Sequence, residues 1–296
     1  LGREIEAPAL LAQSAYGRAV LHVDRTEFEE ASAMIERVRE LIPSDAPSIL
    51  LTSALQLKGR ILSDSGRITE ALANEIEIGE SWEERGYFSG AGLSLCNAGY
   101  LALTLGEYQP ALDLLSRALN MAVTYRLREI EATALQQIAQ VYEAVEENAL
   151  VVEHYVRSMT IAAEINAYFT ESVALYYLSL YYERNGLTGR ALSGYLRSLA
   201  LTRKIGRRTA EYTILNAIAA LYLSIGEDMQ AERYLVEGFA LAGEEGPHAE
   251  RIDLLITRSV LCRRRRAYAE AEELLATAIE LGDAPDLYDR NREIVE

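Results

Sequence analysis

Cysteine is scarce: Cys96 and Cys262 are the only two in a chain of 296 residues, too few for a disulfide framework. Six prolines and 19 glycines exclude a fibrous or low-complexity chain. Cations are the minority charge. Lysine and arginine number 29 against 45 aspartate and glutamate, a formal net charge of −16. Such a field repels phosphate backbones and anionic headgroups, which argues against nucleic acid or membrane surfaces as broad partners. No run of about 18 apolar residues is present, so no stretch reads as a membrane-spanning helix. The N-terminus, Leu1-Gly2-Arg3-Glu4, has neither an initiator Met nor a signal-peptide pattern. The chain therefore reads as a fragment or processed product, with a reducing cytoplasm as its expected compartment.

Apolar residues, by contrast, make up half of the chain, and their spacing is helical. The stretch from Leu95 to Ala118 sets the pattern. Leu95 and Gly99 share one face of a first helix. Gly106 ends that helix, because glycine tolerates the left-handed conformation of a helix terminus. Ala111, Leu115 and Ala118 mark one face of a second helix. The unit is a helical hairpin.

Shifting this pattern by forty residues finds it again along the whole chain. The first-helix leucine recurs as Leu55, Leu95, Leu135, Leu175, Leu215 and Leu255, with Ala15 as the one substitute. Four residues on, every copy is small: Ala19, Gly59, Gly99, Ala139, Ser179, Ala219 and Ser259. The second-helix alanine recurs as Ala31, Ala71, Ala111, Ala191, Ala231 and Ala271, with Val151 in the fourth copy. The bulky residue four further on is Ile35, Leu115, Tyr155, Tyr195, Leu235 or Leu275, and Glu75 breaks that column. The break glycine appears as Gly66, Gly106, Gly186 and Gly226, while the fourth hairpin has Glu146-Glu147-Asn148 in its place. Several columns in one register indicate a solenoid. The two cysteines would then lie four hairpins apart, too far to bridge.

The spacing places hairpins at residues 9–43, 48–85, 88–126, 128–166, 168–206, 208–244 and 247–283, after a lead-in at 1–8. Pro110 falls in the first turn of a second helix, where its missing N–H costs nothing. Pro43, Pro47, Pro247 and Pro285 fall between hairpins, and Pro8 precedes the first. Asp283-Ala284-Pro285 repeats Asp45-Ala46-Pro47 and reads as the start of an eighth first helix over 285–296. A solenoid end needs a polar cap, so the native protein is expected to continue. All of this reads as one domain.

The small residue of the first helix, the turn Gly106-Glu107-Tyr108 and the alanine opening the buried face of the second helix resemble the tetratricopeptide repeat. The forty-residue period departs from the usual ~34 and is similar to the longer variant of kinesin light chains, polarity scaffolds and bacterial sensor domains. The resemblance implies an all-α fold, a right-handed superhelical solenoid of about seven hairpins whose first helices line a concave surface. On that surface fall the residue after each leucine and the one four further on. The row is Tyr16 and Val20, Gln56 and Arg60, Cys96 and Tyr100, Gln136 and Gln140, then Tyr176 and Leu180, Asn216 and Ala220, Ile256 and Val260. Amides hydrogen-bond a peptide backbone in both senses, and tyrosine joins apolar area to a polar tip. Gln56, Arg60, Tyr100, Gln136, Gln140, Tyr176 and Asn216 are therefore the candidate peptide- or ligand-binding residues. Arg60 is the only cation in the row, so a carboxylate clamp of the kind some relatives use is not expected.

The search for catalysis returns little. His22, His154 and His248 fall in separate hairpins without carboxylates or cysteines at ligand spacing. No metal, cofactor or enzymatic activity is expected. Gly86-Tyr87-Phe88-Ser89-Gly90-Ala91-Gly92 lacks the preceding strand and the lysine of a phosphate loop and reads as a loop between hairpins. Arg263-Arg264-Arg265-Arg266 reads as favourable charge at a helix C-terminus. Its sharper alternative is a local site for an anion or an acidic partner, self-association with the acidic remainder included. Of the tyrosines crowding the fifth first helix, Tyr177, Tyr181 and Tyr182 are expected in the core and Tyr176 in the groove.

Two functions follow. The first is a scaffold for a protein or peptide partner, in cis or in trans, within a larger bacterial signalling protein. The alternative is a small-molecule sensor controlling an attached output domain, a transcription activator or nucleotide cyclase. A continuous open groove favours the first, an enclosed pocket the second.

Overall fold

Helices account for almost every residue because leucine, alanine and glutamate recur at helical spacing with few internal breakers. The computed structural model describes residues 2–25, 27–42, 49–242 and 248–282. Among them are fourteen helices and no strand. In pairs these are α1 (Gly2–Asp24) and α2 (Phe28–Leu41), α3 (Ile49–Asp64) and α4 (Ile68–Glu84), α5 (Phe88–Thr104) and α6 (Tyr108–Tyr125). There follow α7 (Arg128–Ala144) and α8 (Asn148–Glu164), α9 (Tyr168–Arg184) and α10 (Thr188–Ile205), α11 (Arg208–Ser224) and α12 (Asp228–Ala242), and α13 (His248–Arg264) and α14 (Tyr268–Gly282). The expected eighth helix over 285–296 and the turn prolines Pro43, Pro47, Pro247 and Pro285 lie outside the described residues. Pro8 corrects the expectation that it precedes the first hairpin: it lies inside α1, past the first turn, where its missing N–H leaves one helical hydrogen bond unmade.

One device ends most of the helices. Residues with positive φ recur at intervals of twenty from Gly66 through Gly86, Gly106, Arg126, Glu146, Asn166, Gly186 and Gly206 to Gly226, and again at Arg266, whereas α2 runs into extended backbone at Ile42. The next N–H reaches back across the terminus, as in Glu107 to the Ala102 carbonyl at 2.9 Å and Ala267 to the Cys262 carbonyl at 2.9 Å. This is the six-to-one bond that satisfies orphan carbonyls at a left-handed cap. The glycine signal captured only part of the set. Glu146 takes the cap of the fourth hairpin with φ 62°, and Arg126 and Asn166 cap helices that glycine caps elsewhere. The stretch Gly86–Gly92 is likewise not a loop. Only Gly86 and Tyr87 stand outside helices, and α5 begins at Phe88. Gly90 and Gly92 are helical and lie close beneath Trp82 and Ile130 respectively.

The chain divides into two compact units, residues 1–161 and 162–296. In the first, the recurring small residues let first and second helices approach. A Cβ built on Gly99 would stand 2.5 Å from the Leu115 Cγ, so the leucine occupies the space a side chain would need. Leu95, Leu115, Leu135, Val151 and Tyr155 are fully buried, as are Ala31, Ala71 and Ala111. Ser158 donates to the Ala132 carbonyl at 2.7 Å, pinning α8 to α7. Lys58 on α3 meets Glu36 on α2 at 2.8 Å.

The second unit is built alike. Gly194 faces the Ser179 hydroxyl and Gly238 faces Leu254. Tyr195, Leu215, Ile218 and Leu235 are fully buried. Ser172 meets the hydroxyls of Ser198 and Thr202 at 3.2 and 2.8 Å, a buried polar joint between α9 and α10. Within each unit a hairpin covers the apolar face of its neighbour. Each buried leucine or tyrosine contributes on the order of 1.5–3 kcal/mol, mostly offset by lost conformational freedom. Stability therefore accrues from nearest-neighbour contacts.

Candidate functional site: the first-helix row

The first helices lie against one another within each unit, α1 on α3, α5 on α7, and α11 on α13. In the first unit Gln56 and Arg60 are exposed on α3 and Tyr100 on α5. Among the described residues Arg60 forms no ion pair. Gln136 departs from expectation, at 5 % exposed, and its row neighbour Cys96 is buried as well. The helices are rotated so that the open stripe of α5 runs through Leu93, Asn97 and Tyr100. On α7, Gln137 and Gln140 are half-buried, and the carbonyl oxygen of each is buried without a hydrogen-bond donor. In the second unit Tyr176 and Leu180 are half-buried on α9, as is Asn216 on α11. The Asn216 carbonyl oxygen also lacks a donor. Tyr176 leans on Tyr195 with ring centroids 5.8 Å apart. Burial, with smaller pushes from Tyr177 and Asp253, drives its phenol up to about 12.

Glu75 is the residue that broke its column, and the structure explains how it is housed. It is 5 % exposed at a position that holds isoleucine, leucine or tyrosine in other hairpins. One carboxylate oxygen lies where a side chain at Gly59 would come within 2.8 Å. The other accepts from the Asn97 amide at 3.4 Å. Asn74 beside it is tied to the Leu55 carbonyl at 3.2 Å. Burial pushes the Glu75 carboxyl above its ordinary value, against the opposing pull of its bonds from Asn97 and Ser94. Asn97 is the exposed member of this group, so the sequence row missed by one residue the amide that covers a buried acid.

Comparison with solved structures places this architecture. A tetratricopeptide repeat protein from Parabacteroides merdae aligns over 95 % of this chain and 97 % of its own, at 14 % identity and a TM-score of 0.59. The fold is the tetratricopeptide-repeat fold. Aspartyl phosphate phosphatase F from Bacillus subtilis shares that fold over 96 % of this chain and 73 % of its own, at 14 % identity and a TM-score of 0.69. NprR in complex with its cognate peptide NprX shares it over 95 % of this chain and 81 % of its own, at 12 % identity and a TM-score of 0.56. No family profile and no curated protein matches the sequence.

Other groups singled out by the sequence are accounted for within this tetratricopeptide framework. Arg264 meets Asp228 and Arg265 meets Glu232, each at 2.8 Å, so two of the four arginines tie α13 to α12. His22 contacts Glu27 at 2.6 Å and His154 the Leu150 carbonyl at 2.8 Å, while the His248 side chain lies outside the described residues. Tyr181 is buried as expected, and Tyr177 and Tyr182 are half-buried. Both cysteines are free, and burial drives the Cys96 thiol up to about 12, which leaves it protonated and inert. No group of three metal-ligating side chains occurs, and no helix is long and apolar enough to cross a membrane, among the described residues. Clefts of about 390 and 490 Å³ in the first unit, and 160 and 280 Å³ in the second, contain none of the seven candidate residues.

Proposed function

We propose that the chain is a binding module, not a catalyst, and that the first-helix row within a unit holds a peptide segment of a regulatory partner. The observation that carries this reading is an amide oxygen left without a donor on a first helix of each unit, Gln140 in the first and Asn216 in the second. A buried acceptor without a donor costs about 1–3 kcal/mol, and the N–H groups of an extended peptide are the donors such positions recover on binding. In the first unit Gln56, Arg60 and Tyr100 supply exposed polar and aromatic contacts. Gln136 acts from beneath, as a packing residue. The net charge of −16 favours a basic or neutral segment. A peptide complex of one fold neighbour, NprR, supports the same mode of use. Regulation through an attached output region, and a cytoplasmic setting, belong to this proposal.

Selection from a random twelve-residue peptide library tests it. Enriched peptides should bind the wild-type chain and lose about tenfold or more on one of the single variants, Gln140→Ala in the first unit or Asn216→Ala in the second. Failure to enrich any peptide, or binding unchanged by either variant, would overturn the reading.

A further inference from the structure

Glu75 stands on the second helix of its hairpin at the position that otherwise holds the largest apolar side chain of the core. Among the described residues its contacts are a neutral amide and a hydroxyl, those of Asn97 and Ser94, with Asn74 adjacent. Among the described residues the exposed Arg60 on the neighbouring α3 makes no ion pair with this carboxylate, and Lys58 is engaged with Glu36. A buried carboxylate without a cation is expensive, and a cation that reaches it recovers part of that cost. The surroundings are arranged to keep it. Gly59 leaves the space its oxygen occupies, since any Cβ there would come within 2.8 Å. Asn97 donates across 3.4 Å, a long bond easily exchanged for a stronger donor. Asn97 is exposed on the open stripe of α5 between Leu93 and Tyr100. The acid thus lies one side chain below the row proposed to hold a peptide.

We propose that Glu75 and Asn97 form the seat for one guanidinium or ammonium group, a lysine or arginine side chain of the bound peptide. The Asn97 amide turns aside and its carbonyl oxygen then accepts from the same cation, so that carboxylate and amide oxygen together receive its N–H groups. This site fixes the position of a basic residue in the partner, and it rests on the peptide-binding reading given above.

The same library selection separates the two. Wild-type protein should enrich peptides with lysine or arginine at one fixed position, and Glu75→Gln, an isosteric change, should enrich peptides without that requirement. An enriched basic peptide should lose about tenfold or more in affinity on Glu75→Gln. Replacing its basic residue with alanine should cost the same, and the two losses should not add. Enriched peptides with no basic position would overturn the seat while leaving peptide binding intact. Failure to enrich any peptide would overturn both. Free arginine or spermidine binding more tightly than any basic peptide would also overturn it, by making the occupant a small cation.

Discussion

Alanine at Gly99 should destabilise this protein although alanine at Gly17 stabilises it. Both glycines lie inside helices, α5 and α1. Replacing a helical glycine with alanine gains about 1 kcal/mol from propensity alone. At Gly17 nothing lies within 4 Å of the new methyl, so that gain should be realised. At Gly99 the methyl would meet the Leu115 Cγ at 2.5 Å and Cδ2 at 2.6 Å. Leu115 is fully buried and is a branched side chain with little room to retreat. Overpacking of this kind costs about 1–3 kcal/mol, which equals or exceeds the propensity gain. Gly99→Ala should therefore fall about 1–3 kcal/mol below Gly17→Ala in stability. Leu115→Ala alone should cost about 2–5 kcal/mol. In the double variant the new methyl enters the space the leucine vacates, so the losses should be sub-additive by about 0.5–3 kcal/mol. Urea titration followed by far-UV circular dichroism reads all four proteins. A midpoint for Gly99→Ala as high as that of Gly17→Ala, or strict additivity with Leu115→Ala, would refute the close-approach argument.

Leu175→Ala should cost about 2–5 kcal/mol in the same titration, because Leu175 is buried in the second unit; a loss under about 0.5 kcal/mol, the scatter of surface changes, would remove the leucine column from the core. Arg126→Gly and Glu146→Gly relieve left-handed backbone at φ 56° and 62°, and each should raise stability by about 1 kcal/mol, visible as a higher thermal midpoint. Glu75→Gln should raise the midpoint at neutral pH. Burial holds the folded carboxyl above its ordinary value, so the folded state favours the protonated form. The penalty is absent below the unfolded value and grows as pH rises through the folded one. The advantage of Glu75→Gln should thus open above about pH 4.5 and then level off; a gap independent of pH would refute it.

The fold was legible because its determinants are local and repeated. Leucine four residues before a small side chain, and alanine four before a bulky one, survive in nearly every copy, and burial follows those columns. The caps were half legible. Gly66 or Gly106 announces a left-handed residue by its type, whereas Arg126 and Asn166 take the same conformation only because the flanking helices and the six-to-one bond impose it. The row of candidate residues depended on the rotation of each helix about its axis, which no spacing rule fixes to one residue. Hence Gln56 and Tyr100 are exposed, Gln136 lies inside, and Asn97 is exposed next to the buried Cys96. Glu75 registered in the sequence as an irregularity, because its partners Asn97, Ser94 and Gly59 come from other helices.

The left-handed joints at equal intervals of twenty residues have a consequence for how such a chain can change length. Two intervals make one hairpin, so excising residues 107–146 would join Gly106 to Glu147, the same junction that Glu146 makes now. Gain or loss of whole units leaves every remaining joint in phase, while a deletion of ten residues would put a joint in mid-helix. Copy number can drift in a lineage built this way, and the spacing between joints cannot.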